Sequence, residues 1–248
     1  MSEKSRHYRT YTYCLDNPTR FIDPDGMSAN STHTDANGNV IAVYNDGDNG
    51  VYKHADISKW DGESVLTKTG DGITKMGETK YWDEFADHTS KNTMKEITPG
   101  NYANTKAQIK FGASIDEYIR GYHRYAQKQM DRMGIIERGN WLKEMSARGR
   151  FLDIKDELGH FKGYKLGNFY VTGESAGNYL FGLNLDYARP MLYGNKDDFW
   201  IRAMKVVGHY HNTSNKVNNP EVHPYYGETN ASGRWIANGF FQGENSLK

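Results

Sequence analysis

The chain reads as an α+β fold, with a short β-rich N-terminal module followed by a mainly helical C-terminal domain. Three observations predict it. The run Asn39-Val-Ile-Ala-Val-Tyr44 and a second run opening at Val51-Tyr52 are bracketed by Asn37-Gly38 and Asn45-Asp-Gly-Asp-Asn-Gly50, which is strand-and-turn punctuation. From about residue 105 apolar residues recur at helical spacing instead. Between them, residues 55–104 are rich in Gly, Thr and Asp and hold no sustained period.

Taken in order, residues 8–21 alternate Tyr and Thr like a strand and lead into Asn17-Pro18 and Ile22-Asp23-Pro24-Asp25-Gly26-Met27. Residues 28–36 are small and polar, which is linker chemistry, and the runs at 39–44 and 51–52 then predict a hairpin. The Asp, Asn and Gly cluster at 45–50 reads as a turn, because the twelve-residue calcium-loop pattern with its terminal Glu is not met. A short helix or strands are expected around Tyr81-Trp-Asp-Glu-Phe85.

Ser114-x-x-Glu117 reads as a capping box, and Ile115, Tyr118, Ile119, Tyr122, Ala126 and Met130 follow it at helical spacing up to Gly134. Further helices are expected around Trp141, Leu142 and Met145, over 175–187, over 197–207 and near 231–241. Glycines and asparagines between 149 and 179 predict tight turns, short strands and a helix start.

At 248 residues the chain can bury one sizeable core and a smaller module, and its 31 basic and 31 acidic residues balance. The balance conceals an asymmetry. Residues 1–104 hold 11 Lys and Arg against 16 Asp and Glu, a net of −5, so the remainder carries +5, mildly suited to an anionic partner. A single cysteine, Cys14, excludes an internal disulfide and a multi-cysteine zinc site. No apolar stretch approaches the roughly 18–20 residues of a membrane span. The polar start Met-Ser-Glu-Lys-Ser-Arg lacks a signal-peptide core, so a secreted or delivered product is expected to use a dedicated export system.

The run Asp16-Asn-Pro-Thr-Arg-Phe-Ile-Asp-Pro-Asp-Gly-Met27 resembles the C-terminal border of the core of Rhs/YD-repeat proteins, large β-shells that carry a variable toxin. The resemblance implies a division into a border (1–27), a linker and β-hairpin module (28–104) and a C-terminal toxin domain (105–248) used in interbacterial competition. It assigns Asp23, Pro24, Asp25, Gly26 and Met27 to a self-cleavage motif. Only the second of the family's two Asp-Pro-x-Gly segments is present, so self-cleavage is not expected. It also implies the parent Rhs shell and a cognate immunity protein as partners. The later half distantly resembles the polymorphic toxin type 44 domain at Phe151-Leu-Asp153-Ile-Lys155, Gly167-Asn168-Phe169, Gly173–Gly177, His223-Pro-Tyr-Tyr-Gly-Glu228 and Ile236-Ala-Asn-Gly-Phe240. That family has been predicted to be a ribonuclease.

The candidate catalytic residues are Asp153, Lys155, Glu174, His211 and Glu228, with Asn168 and Asn178 as substrate-binding candidates. Asp153 and Lys155, two apart, would share a strand face, either as a surface ion pair or as a catalytic pair. Glu174 at a helix start is favoured by the macrodipole, and free N–H groups there can hold a phosphate. Asn168 and Asn178 offer amide hydrogen bonds or serve as turn residues. His209-x-His211 with Glu221, His223 and Glu228 supplies bases, but its spacing matches no established metal motif. No metal or other cofactor is therefore expected. A ribonuclease would pair a base, His211 or Glu228, with Lys155, whereas a peptidoglycan hydrolase would need two carboxylates, Glu174 and Glu228. The 18 Tyr, 10 Phe and 5 Trp suit a carbohydrate as well as RNA, and a non-enzymatic Rhs tip or adhesion module is the third reading.

Overall fold

The computed structural model describes residues 29–86, 107–190, 195–215, 225–226, 228–243 and 245, with side chains of the 196–215 helix described as far as Gly208. The expected border with Asp23, Pro24, Asp25, Gly26 and Met27 lies outside the described residues, as do Glu221 and His223.

The N-terminal part is β-rich and the remainder mainly helical, as the sequence predicts. The strands are β1 (Asn30–Thr34), β2 (Val40–Asn45), β3 (Gly50–His54), β4 (Ile73–Thr79), β5 (Gln108–Ser114), β6 (Lys162–Leu166) and β7 (Phe169–Thr172). They form one mixed sheet in the order β2-β1-β3-β4-β7-β6-β5.

The expected linker is instead the strand β1, which separates β2 from β3 by pairing antiparallel with the first and parallel with the second. The predicted hairpin between β2 and β3 therefore does not form. Its five residues, Asn-Ser-Thr-His-Thr, are all polar and all buried, which composition alone does not betray. Burial of Ser31 and His33 is tolerated because their polar atoms find partners, whereas Asn30 Oδ1 finds none among the described residues. Ser31 Oγ donates to Asp46 Oδ2 at 2.7 Å and lies 3.2 Å from His33 Nε2, and His33 Nδ1 sits 2.9 Å from His54 Nε2. The His33 ring also stacks on Tyr52 and meets Tyr44 edge-on.

The two outer strands of the sheet touch. Val40 N donates to Ala107 O at 3.0 Å, Ile109 N donates to Gly38 O at 2.7 Å, and Asn39 bridges Gln108. The sheet thus curls until β2 meets β5, giving exposed edge groups a partner. Val40, Val43, Val51, Phe85, Ile109 and Tyr170 pack as one core cluster against it. The expected boundary at 104/105 accordingly does not part the sheet, because β5, β6 and β7 complete what β1 to β4 begin.

The helices among the described residues are α1 (Asp116–Met130), α2 (Ile135–Met145), α3 (Ile154–Leu158), α4 (Gly173–Ala188), α5 (Lys196–Asn215) and α6 (Asn230–Ala237), the last running into a π turn over Asn238–Gln242. The capping box does not form. Ile115 occupies the cap, Ser114 Oγ accepts from Asp116 N at 3.2 Å, and Glu117 turns to Arg120 instead. Gly134 is not the end of α1 but the cap of α2, its N–H donating to Glu137 Oε2 at 2.9 Å.

Helix α4 is buried along most of its length and is the hub of the helical layer. Glycine permits its approach to α6: a Cβ on Gly182 would lie 2.1 Å from Ile236 O, and one on Gly239 would lie 2.2 Å from Tyr179 O. Two buried acids join α6 to the turn after β4. Asp83 pairs with Arg234, and Glu84 accepts from Trp235 Nε1 at 2.8 Å and from Thr172 N at 2.6 Å. Burial raises the Glu84 carboxyl above its ordinary range, opposed by those hydrogen bonds.

Burial, with the neighbouring His54 adding to it, lowers the His33 imidazole to about 4. A histidine depressed in the folded state contributes stability that is present above its unfolded value of about 6.5 and is lost as pH falls toward the folded value. Urea unfolding should therefore show a loss of about 2 kcal/mol between about pH 7 and about pH 5 from His33. His33→Gln should be less stable at neutral pH and lose less stability over that window, the remainder coming in part from His54, which burial also lowers; an unchanged slope would show that His33 does not govern it.

Candidate functional site

Strand β7 ends at Thr172, whose hydroxyl accepts from Ser175 N at 3.1 Å and caps α4. The cap fixes where the first two turns of α4 point. Helix α3 lies across them, and the stem of Lys155 crosses Gly177 so closely that a Cβ there would sit 2.6 Å from Lys155 Cγ. Gly177 is thus the floor that admits the lysine. The Lys155 ammonium has no acceptor among the described residues.

Beside it, Asn178 is only 5% exposed, and its amide makes no hydrogen bond among the described residues. Both face a cavity of about 520 Å³ walled by α2, α3, α4 and α5. Asp153, Glu228, Lys143, Arg202 and Ser146 also line it, over an apolar floor that includes Leu142, Leu152, Phe181 and Leu185. The buried Ser146 Oγ has no partner either. An ammonium, an amide and a buried hydroxyl, each without a partner among the described residues, thus converge on one partly apolar cavity, which makes it the candidate site.

Four of the seven candidates, Asp153, Lys155, Asn178 and Glu228, are brought together here. The route differs from the expected one. Asp153 is not in a strand but at the N-cap position of α3, and Lys155 is the second residue of that helix. They form no ion pair with each other; Asp153 Oδ2 accepts from Gly149 N at 2.9 Å. Glu228 Oε1 accepts from Thr229 N at 3.0 Å.

Glu174 stands in the first turn of α4, as its position in the sequence predicts, but it lines a different, small cavity of about 40 Å³ with Glu84, His160, Ser175 and Trp235. Its carboxylate lies 3.5 Å from His160 Nδ1, while His160 Nε2 lies 3.0 Å from Asp156 Oδ1. Asn178 borders both cavities. Asn168 stands apart: it is an exposed residue of the turn joining β6 to β7, on a shallow groove with Lys75 and Glu78, and it lines neither cavity. His211 lies on α5, but its side chain is outside the described residues. Among the described residues no group of three or more His, Cys, Asp or Glu is arranged to hold a metal.

Sequence reasoning missed Arg202, Ser146 and His160. Arg202 sits within the helical run 196–215 with no local motif around it, and Ser146 shows only as a residue ending α2. The one available signal for His160 was its i+4 spacing from Asp156, a common surface pairing.

An unpartnered Asn contributes little to stability, so Asn178→Leu should leave the urea midpoint unchanged or raised. A loss of about 1–3 kcal/mol would reveal a structural hydrogen bond and remove the amide from the site. No protein-family model, curated protein or solved structure matches this chain, so its functional reading rests on the chemistry of this cavity.

Proposed function

We propose that this chain is the C-terminal toxin region of an Rhs-type protein used in competition between bacteria, and that the large cavity on α4 is the active site of a metal-independent ribonuclease. The observation that carries the reading is the convergence of an unpaired Lys155 ammonium, an unpartnered Asn178 amide and the Glu228 carboxylate on one cavity. Cations and amide donors beside a carboxylate suit phosphodiester cleavage by the neighbouring ribose hydroxyl.

In the proposed reaction Glu228 takes the proton of the 2′-hydroxyl, and the 2′-oxygen attacks phosphorus. The bond from phosphorus to the 5′-oxygen breaks, and that oxygen takes a proton from water. Lys155 from α3, with Arg202 from the α5 wall, offsets the charge on the phosphoryl oxygens, and Asn178 donates a hydrogen bond to them. Asp153 orders the 149–153 turn through Gly149 N and so positions Lys155.

The glycosidase reading draws less support, because its two carboxylates, Glu174 and Glu228, line different cavities. A toxin of this kind requires an immunity protein in its producer, and delivery by a dedicated secretion system follows from the same reading. The described residues contain no helix long and apolar enough to cross a membrane.

The test incubates the purified chain with labelled RNA in the presence of a chelator. Wild type should cut, and Lys155→Met and Glu228→Gln should each slow cutting by about 10²-fold or more while leaving the fold intact. Expression of the whole chain in the bacterial cytoplasm should arrest growth and degrade RNA. Lysis from the periplasm alone would overturn the reading in favour of the cell wall.

A further inference from the structure

Outside the cavity, four aromatic rings run in a row from α1 to the turn before α3. Tyr118 meets Tyr122 at 4.9 Å between centroids, Tyr122 meets Phe151 at 5.0 Å, and Phe151 meets Tyr125 at 4.7 Å. The outer end of the row is open to solvent: Phe151 is 48% exposed and Tyr125 is 40% exposed. Single exposed apolar residues are ordinary, but two exposed rings in contact, backed by the half-buried Tyr122 and Tyr118, form a contiguous aromatic patch suited to binding.

Charge decides what such a surface takes. Arg148 and Arg150 stand in the same tight turn as Phe151, both exposed and with no ion pair among the described residues. On α1, Arg124 adjoins Tyr125 and lies 3.8 Å from Glu117, and Lys128 follows one turn later, exposed and unpaired among the described residues. Two acids lie close by and are already engaged: Glu157 accepts from Tyr122 OH at 2.9 Å, and Asp153 accepts from Gly149 N. Aromatic faces interleaved with uncommitted cations are the pattern that binds single strands, with bases stacking on rings and phosphates meeting arginines. A neutral glycan would use the rings but has no call for the arginines.

The row is also continuous with the cavity. Phe151 is followed directly by Leu152 and Asp153, which line the cavity wall, and Lys155 lies one helical turn beyond. We infer that Tyr122, Tyr125 and Phe151, with Arg148 and Arg150, form a stacking shelf that holds unpaired nucleotides of an RNA strand and leads it to the α4 cavity. The inference rests on the ribonuclease reading for its substrate and adds to it that the substrate is single-stranded. The side chain of Phe151, exposed and without a core role, is then explained by the base that covers it.

The experiment measures binding apart from cutting. A fluorescent oligoribonucleotide of about 12 residues with 2′-O-methyl riboses offers stacking and phosphates but no attacking hydroxyl, and its anisotropy is read as the full chain is added. The double variant Tyr125→Ala, Phe151→Ala should weaken binding by about tenfold or more, and Phe151→Trp should retain it. Arg148→Ala, Arg150→Ala should reduce the salt slope of binding by about 1.4 between about 50 and 200 mM salt. The same strand annealed to its complement should bind more weakly. Both aromatic positions are exposed, and circular dichroism checks that each variant stays folded.

Wild-type binding that the double alanine variant matches would overturn the shelf, as would a wild type that ignores RNA and takes peptidoglycan fragments. The cleavage reading fails separately: a chain that binds this strand through the shelf but never cuts unmodified RNA keeps the shelf and loses the ribonuclease.

Discussion

The structure depends on the close approach of α4 and α6. Two glycines facing opposite backbones, Gly182 under Ile236 and Gly239 against Tyr179, let the helices touch where any side chain would hold them apart. That approach drops Trp235 onto Tyr179 and Tyr81 and aims its indole N–H at Glu84. Through Glu84 and Asp83 the turn after β4 is joined to α6, and through Thr172 the end of β7 is joined to both. The sheet and helices therefore share one set of buried polar contacts. Removing one member of the Asp83–Arg234 pair would leave a charge without its partner in the core, which typically costs about 3–5 kcal/mol.

The same hub creates the site. Because α4 is fixed by its cap and its glycines, Gly177 and Asn178 face outward at a defined place, and α3 lays Lys155 over the bare glycine. Stability elsewhere permits unsatisfied groups here. Ser31 and His33 of β1 are buried, as Asn178 is, but they hydrogen-bond to Asp46 and His54, whereas the Asn178 amide and the buried Ser146 Oγ have no partner among the described residues.

Much of the architecture was legible in the sequence, and its failures have physical causes. Helix α1, carried by a strong apolar period, falls where Tyr118, Ile119 and Met130 place it, and α4 covers the expected run 175–187. Strand β1 was invisible because its burial is sustained by hydrogen bonds rather than by Val or Ile. The pairing of β4 with β7 and the contact of β2 with β5 join residues far apart in the chain, and no local pattern encodes them. At the site, residue type pointed to Asp153, Lys155, Asn178 and Glu228. Their meeting depends on the tertiary path of α3 across α4, which leaves Asn168, in the turn after Gly167, apart from them.

A cavity that joins a carboxylate, an uncommitted ammonium and an unpartnered amide is suited to one way of breaking RNA, in which the substrate's own 2′-hydroxyl is the nucleophile. The most direct measurement is of the ends left on RNA cut by the purified chain in the presence of a chelator. The account predicts 2′,3′-cyclic phosphate on one fragment and a free 5′-hydroxyl on the other. Fragments ending in 5′-phosphate and 3′-hydroxyl, or cutting that stops when divalent metal is chelated, would contradict it.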